Sequence, residues 1–186
     1  MLKNKKIGFV LTGEFFSFPL VIPKIKELIN MGALVVPIMS YNAKLKQNPE
    51  YVKEIEEITS HKIISTIEDA QNIGIKHLTD IVVVAPCSGN TLSKLANSIA
   101  DTPATVAVNS NIRNENNVVI AISTNDGLAG NAINIGLLLN RKHFYFVPFR
   151  QNNPITKPYA ISFDKNYLIP TIEQALISKQ LQPILL

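Results

Sequence analysis

Two short segments hold residue types able to bind a small molecule. The first is "VVVAPCSGNTLSKLANSIAD", residues 82–101, where aliphatic residues run into Pro86, Cys87, Ser88, Gly89, Asn90 and Thr91. Ser88, Asn90 and Thr91 supply donors and acceptors suited to the edge of a heteroaromatic ring. Gly89 lacks a Cβ and would let a planar ligand approach the backbone. Pro86 removes a backbone donor and helps to end a strand. A helix N-cap, worth about 1 kcal/mol, would account for one of these polar residues, and three are present. The second segment is "TGEFFS", residues 12–17. Thr12 and Gly13 offer a hydroxyl and a flexible backbone ahead of a helix, a combination that cradles phosphate and also makes an ordinary turn. Neither GxGxxG nor the Walker pattern is present, which argues against a dinucleotide site or a P-loop. A Glu14 carboxylate beside a phosphate would cost Coulomb energy unless it points away, and near a helix start it suits the macrodipole.

Other reactive side chains are fewer. Cys87 sits near an expected helix start, where a thiol pKa is lowered, but no His is close to it in sequence. "STNDGL" (123–128) places Thr124 and Asn125 at a strand end, either to cap a helix or to add a third wall to the same crevice. Ser17, a candidate N-cap, and Ser40, closing an apolar run, complete the candidate set. Arg150 and Lys157 could meet the carboxylates of a dianionic substrate, with surface solvation as the plainer reading. His61, His77 and His143 have no metal-ligand spacing, so no metal centre is expected.

These residues need a frame to hold them. Short apolar runs, "KIGFVLT" (6–12), "ALVVPIMS" (33–40), "DIVVVAP" (80–86), "ATVAVN" (104–109), "NVVIAIS" (117–123) and "HFYFVPF" (143–149), read as strands covered on both faces. "HKIIS" (61–65) is expected to pair as well. Helical patterns lie between them, over 19–31, 50–59, 66–73, 91–100, 127–139 and about 170–179. "RQNNPITKP" (150–158) reads as a polar loop. Alternation of this kind predicts an α/β fold: a doubly wound, mainly parallel sheet with helices on both faces, a flavodoxin- or Rossmann-like three-layer sandwich. Ligands in such sheets sit beyond the carboxyl ends of the strands where strand order reverses. An order beginning 3-2-1-4 brings "TGEFFS" and "PCSGNT" together there.

Bulk properties narrow the class. The 186 residues, 46% hydrophobic and 17% charged, suit one globular domain over 1–186. The net charge of +4 comes from scattered cations, so no nucleic-acid surface is expected. One Cys excludes an internal disulfide and fits a reducing, cytoplasmic compartment. "MLKNKKIGFVLTG" mimics a signal peptide, but Glu14 follows and a strand plus turn explains it better. No stretch reaches membrane-spanning length.

"APCSGNTLSKLANSIAD" resembles the "PASANT" segment of the homo-oligomeric flavin-containing cysteine decarboxylase superfamily, with Pro86, Ser88, Asn90 and Thr91 in register. "KIGFVLTG", "AISTNDGLAGNAINIGLLL", "FYFVPFRQNNPITKP" and "KQLQP" are similar, more closely, to the dipicolinate synthase B-subunit family on the same flavoprotein-like fold. The resemblance covers nearly the whole chain. It implies a part in forming dipicolinate from a hydroxy-tetrahydrodipicolinate during sporulation, alongside the A subunit of dipicolinate synthase, which carries the NADP chemistry. A supporting role without catalysis, and an independent decarboxylase or prenyl-transferring relative, are the other readings it leaves open. It also implies a homo-oligomer and flavin mononucleotide (FMN), with phosphate at Thr12 and Gly13 and the ring or ribityl chain at Ser88, Asn90 and Thr91. Two features of the decarboxylases are missing. Counting back eight positions from Asp80 reaches Asn72, where they carry a catalytic His, and their Pro-x-Met-Asn clamp is reduced to Asn109 in "AVNSN". Cysteine decarboxylation is therefore not expected.

Overall fold

A central sheet of seven strands is built from alternating residues that face opposite helical layers. The computed structural model describes residues 1–186. Strands β1 (Lys6–Leu11), β2 (Leu34–Met39), β3 (Ile81–Cys87), β4 (Asn117–Thr124), β5 (Phe144–Phe146), β6 (Phe149–Asn153) and β7 (Lys157–Phe163) alternate with helices. The helices are α1 (Phe18–Asn30), α2 (Tyr41–Lys46), α3 (Pro49–Thr59), α4 (Ile67–Ile75), α5 (Gly89–Ala96), α6 (Pro103–Ile112), α7 (Ala132–Leu139) and α8 (Leu168–Leu176). The order is β2-β1-β3-β4-β7-β6, with β5 also paired to β4. Strands β1 to β5 pair in parallel, whereas β7 joins β4 and β6 antiparallel.

Side chains along each inner strand point alternately to the two faces. Phe9, Leu11, Ile81, Val83, Val119 and Ala121 join Phe18, Ile25, Leu28, Ile55 and Ile172 in one core, beneath α1, α3 and α8. Val10, Val82, Val84, Val118, Ile120 and Ile122 join Ile73, Leu92, Leu95, Ala107 and Leu138 in the other, beneath α4 to α7. This is the doubly wound, mainly parallel sandwich that the alternation predicts.

Three expectations change. Residues 104–109 are not a strand but lie within α6. Thr102 and Thr105 form a reciprocal capping box, and Pro103 occupies the first turn. Eight of the ten α6 residues are buried, so no polar face reveals the helical period, and the apolar run imitates a covered strand. The expected loop 150–158 is a hairpin of β6 and β7, hidden by exposed polar residues on an edge that needs no alternation. The 143–149 strand is split between β5 and β6. "HKIIS" pairs only through one bridge, Ile38 to Ile64, on the outer edge of β2. That still sets the order Ile64-β2-β1-β3 and puts the carboxyl ends of β1 and β3 side by side.

Candidate functional site

The turns leaving β1 and β3 are stitched together by one side chain. Thr12 is fully buried; its hydroxyl donates to the Pro86 carbonyl at 2.8 Å and accepts from the Ser88 N–H at 2.9 Å. Beside this junction lies a cavity of about 480 Å³ lined by Gly13, Ser40, Asn90, Thr91, Lys94 and Asp101, with Ser88, Tyr41, Asn42 and Thr102 also on its wall. It stands at the carboxyl ends of β1, β2 and β3, where strand order reverses.

Each wall has a local cause. Ser88 caps α5, its Oγ accepting the Thr91 N–H at 3.4 Å and donating to Thr91 Oγ1 at 3.1 Å. Ser40 caps the short α2, its Oγ accepting the Ala43 N–H at 3.2 Å. Both helices therefore begin at the cavity, with first-turn amides that have no intrahelical partner. Asn90, Thr91 and Lys94 share one face of α5 because positions three and four apart stack along a helix. Lys94 is held by both carboxylate oxygens of Asp101, at 2.8 Å each. The cavity thus carries one cation and one anion, already paired.

On the cavity wall, Gly13 is a residue whose size protein packing does not dictate. A Cβ there would make only ordinary contacts, 3.6 Å from Asn42 and 3.9 Å from Phe15, so its smallness serves the open space it borders. Glu14 turns away from that space. Its carboxylate caps the Phe15–Ser17 turn, accepting from the backbone N–H and the hydroxyl of Ser17. Glu14 is therefore not on the cavity wall.

The structure brings together Gly13, Ser40, Ser88, Asn90 and Thr91 and places the other candidates elsewhere. The Thr12 hydroxyl serves the loop junction instead of facing a phosphate. Ser17 neither caps α1 nor lines the cavity, because its hydroxyl is committed to Glu14. Gly89 is buried against protein: a Cβ would fall 2.5 Å from Thr124 Oγ1, 2.7 Å from Asn131 Nδ2 and 2.8 Å from Asp126 Oδ1. Its missing side chain makes room for that polar cluster, not for a ring. Thr124 donates to Asp126, which also accepts from Asn131 Nδ2 at 2.9 and 2.8 Å, so 123–126 neither caps α7 nor lines the cavity. Asn125 is exposed at the end of β4.

The remaining reactive residues are also accounted for. Cys87 is wholly buried, and burial pushes its thiol pKa up, the opposite of nucleophile activation. Arg150 pairs with Asp164 on an exposed edge. Asn109 lies on α6, off the wall of the cavity. Tyr41, Asn42, Lys94, Asp101 and Thr102 escaped the sequence reading. Lys94 alone carried a usable signal, its place four residues after Asn90 on a helix.

Residues 1–155 match the family model described as Flavoprotein. The chain belongs to the flavoprotein family. It is 42% identical to the B subunit of dipicolinate synthase from Bacillus subtilis (strain 168) over 99% of this chain and 94% of the relative. Its fold matches the crystal structure of the dipicolinate synthase B subunit from Bacillus halodurans C with a TM-score of 0.93 and 36% identity, covering 100% of this chain and 97% of the other. The FMN-dependent cysteine decarboxylase SpaF matches with a TM-score of 0.70 at 21% identity, over 91% of this chain and 98% of that one, a likeness of fold.

Against that family background the wall of the cavity is short of acid–base groups. Asn72 is on α4, its amide donating to the Glu68 carbonyl at 3.4 Å, and none of His61, His77 and His143 reaches the cavity. Its ionisable side chains are Lys94, Asp101 and Tyr41.

Proposed function

We propose that the chain acts as the B subunit of a dipicolinate synthase and that its cavity binds FMN. The observation that carries this reading is 42% identity over 99% of the chain with a protein of that name, in a chain whose β1, β2 and β3 ends enclose a polar cavity. The residues present suit such a ligand. The volume of about 480 Å³ is of the order that holds small ligands. Gly13 and the start of α2 at Ser40 would receive the phosphate, through neutral donors, since the one cation is neutralised by Asp101. Ser88, Asn90 and Thr91 would meet the ring or ribityl chain.

Forming dipicolinate from a hydroxy-tetrahydrodipicolinate requires loss of a water and removal of a pair of hydrogens. FMN, when bound, supplies two-electron redox chemistry. The chain's own contribution is to orient the ligand with the hydroxyl and amide groups of α5, beside a Lys94 already paired with Asp101. The A subunit of the synthase, bearing NADP, is the partner in this reading.

One observation favours a second reading, a non-catalytic partner that orders or activates the A subunit: no histidine lines the cavity. Two measurements separate the readings. Visible absorbance of the purified chain, and titration with FMN, test the ligand. Mixing with the A subunit and following dipicolinate tests the role, with a cavity-blocked Gly13→Val variant in parallel. Activation by both proteins would sink the catalytic reading; activation by the unblocked chain alone, with bound flavin, supports it.

A further inference from the structure

We infer that the groove between α4 and α6 is a second binding site, for a small carboxylate-bearing molecule. Two adjoining cavities, of about 380 and 160 Å³, share Gln71, Ser110 and Arg113 on their walls. Gly74 adds to the first and Asn109 to the second. The groove owes its shape to a close helix approach, since a Cβ on Gly74 would fall 2.4 Å from the Ser110 carbonyl oxygen.

The polar groups here are unspent. Ser110 is 7% exposed, yet its hydroxyl makes no bond within the chain. No sealed side-chain polar atom in the protein lacks a partner, so this hydroxyl opens into the groove. Arg113, one helical turn further on, forms no ion pair, and no Asp or Glu stands on either wall. Gln71 and Asn109 likewise have uncommitted amides. The adjacent Gly74 carbonyl is already taken by Asn114 Nδ2 at 2.8 Å, which removes the acceptor that would repel an anion. A guanidinium fork flanked by a hydroxyl and two amides matches a carboxylate with further polar substituents.

The site is independent of the flavin reading but not remote from it. Ala100 lines the groove, while Asp101 and Thr102 line the cavity above β1 and β3.

Calorimetric titration of the full-length chain with succinate, and separately with inorganic phosphate, tests this. Saturable succinate binding is expected, weakened about tenfold or more in Arg113→Gln and several-fold in Ser110→Ala, since hydrogen bonds to charged groups carry that much affinity. Arg113 is exposed, and unchanged thermal unfolding of its variant would tie the loss to the site. Retained binding in Arg113→Gln, loss in Lys94→Met alone, or binding of phosphate without succinate would each overturn the assignment. So would the absence of saturable binding to the wild-type chain.

Discussion

Thr12 and Ser88, 76 positions apart in sequence, share a partly buried hydrogen bond of 2.9 Å that joins the turns leaving β1 and β3. The same hydroxyl donates to the Pro86 carbonyl, so one side chain satisfies two backbone groups at once. Thr12→Val keeps the shape and strands both partners. Its expected cost is about 2 kcal/mol or more, from leaving buried groups unsatisfied. Denaturant unfolding measures this, and Thr12→Ser, which retains the hydroxyl, should recover most of the loss. Equal stability of wild type and Thr12→Val would show that the junction is not held this way.

Gly89 and Gly136 offer a matched pair of opposite sign. Gly89→Ala would drive a Cβ into Thr124, Asp126 and Asn131, and overpacking of this kind costs about 1–3 kcal/mol. Gly136 lies inside α7, and a Cβ added there would meet nothing within 4 Å. Its replacement by Ala should stabilise by up to about 1 kcal/mol through helix propensity. Thermal unfolding of both variants checks the contrast.

Blocking the cavity should remove ligand without unfolding the chain. Gly13→Val meets only ordinary protein contacts at its Cβ, so folding should survive while FMN binding is lost. Asn90→Ala, at an exposed position, should weaken FMN binding several-fold by removing a hydrogen bond worth about 1 kcal/mol. Fluorescence titration reads both. Unaltered affinity in the pair would take the cavity out of consideration as the flavin site.

Asp126 links folding to pH. The Thr124 hydroxyl bond, and then the Asn131 amide, hold its carboxyl below the ordinary carboxylate range, against an opposing effect of burial. A depressed folded-state pKa means that the group's stabilisation is complete above the unfolded value, about 3.9, and is lost as pH falls through the folded value. Asp126→Asn should therefore flatten the acid limb of the stability curve and leave the slope at neutral pH unchanged. Unfolding free energies across that limb test the sign; an unchanged limb would mean that the carboxylate is not protected.

The central frame was legible because β1, β2, β3 and β4 are apolar on consecutive positions and are punctuated by capping residues such as Ser88 and Thr66. The half of the cavity on the "PCSGNT" turn was legible for the same reason, since its polar residues exceed what one cap requires. Residues 103–112 were not, because a helix buried all round shows no period. The 149–163 hairpin was not, because solvated edge strands carry no apolar alternation. Thr124 and Gly89 misled in a shared way. Each is a small or polar residue at a strand end, and whether it meets ligand or protein depends on what the next strand places against it.

The order of residues alone therefore determined the layered α/β frame and the position of one cavity-lining turn, because strand burial and helix capping are local patterns read within a few residues. Tertiary structure alone decided that Thr12 serves the backbone of the turn after β3, and that Gly89 packs against Thr124, Asp126 and Asn131. Those outcomes rest on which groups remain unpaired once distant segments have packed, and that remainder is set only by the assembled fold.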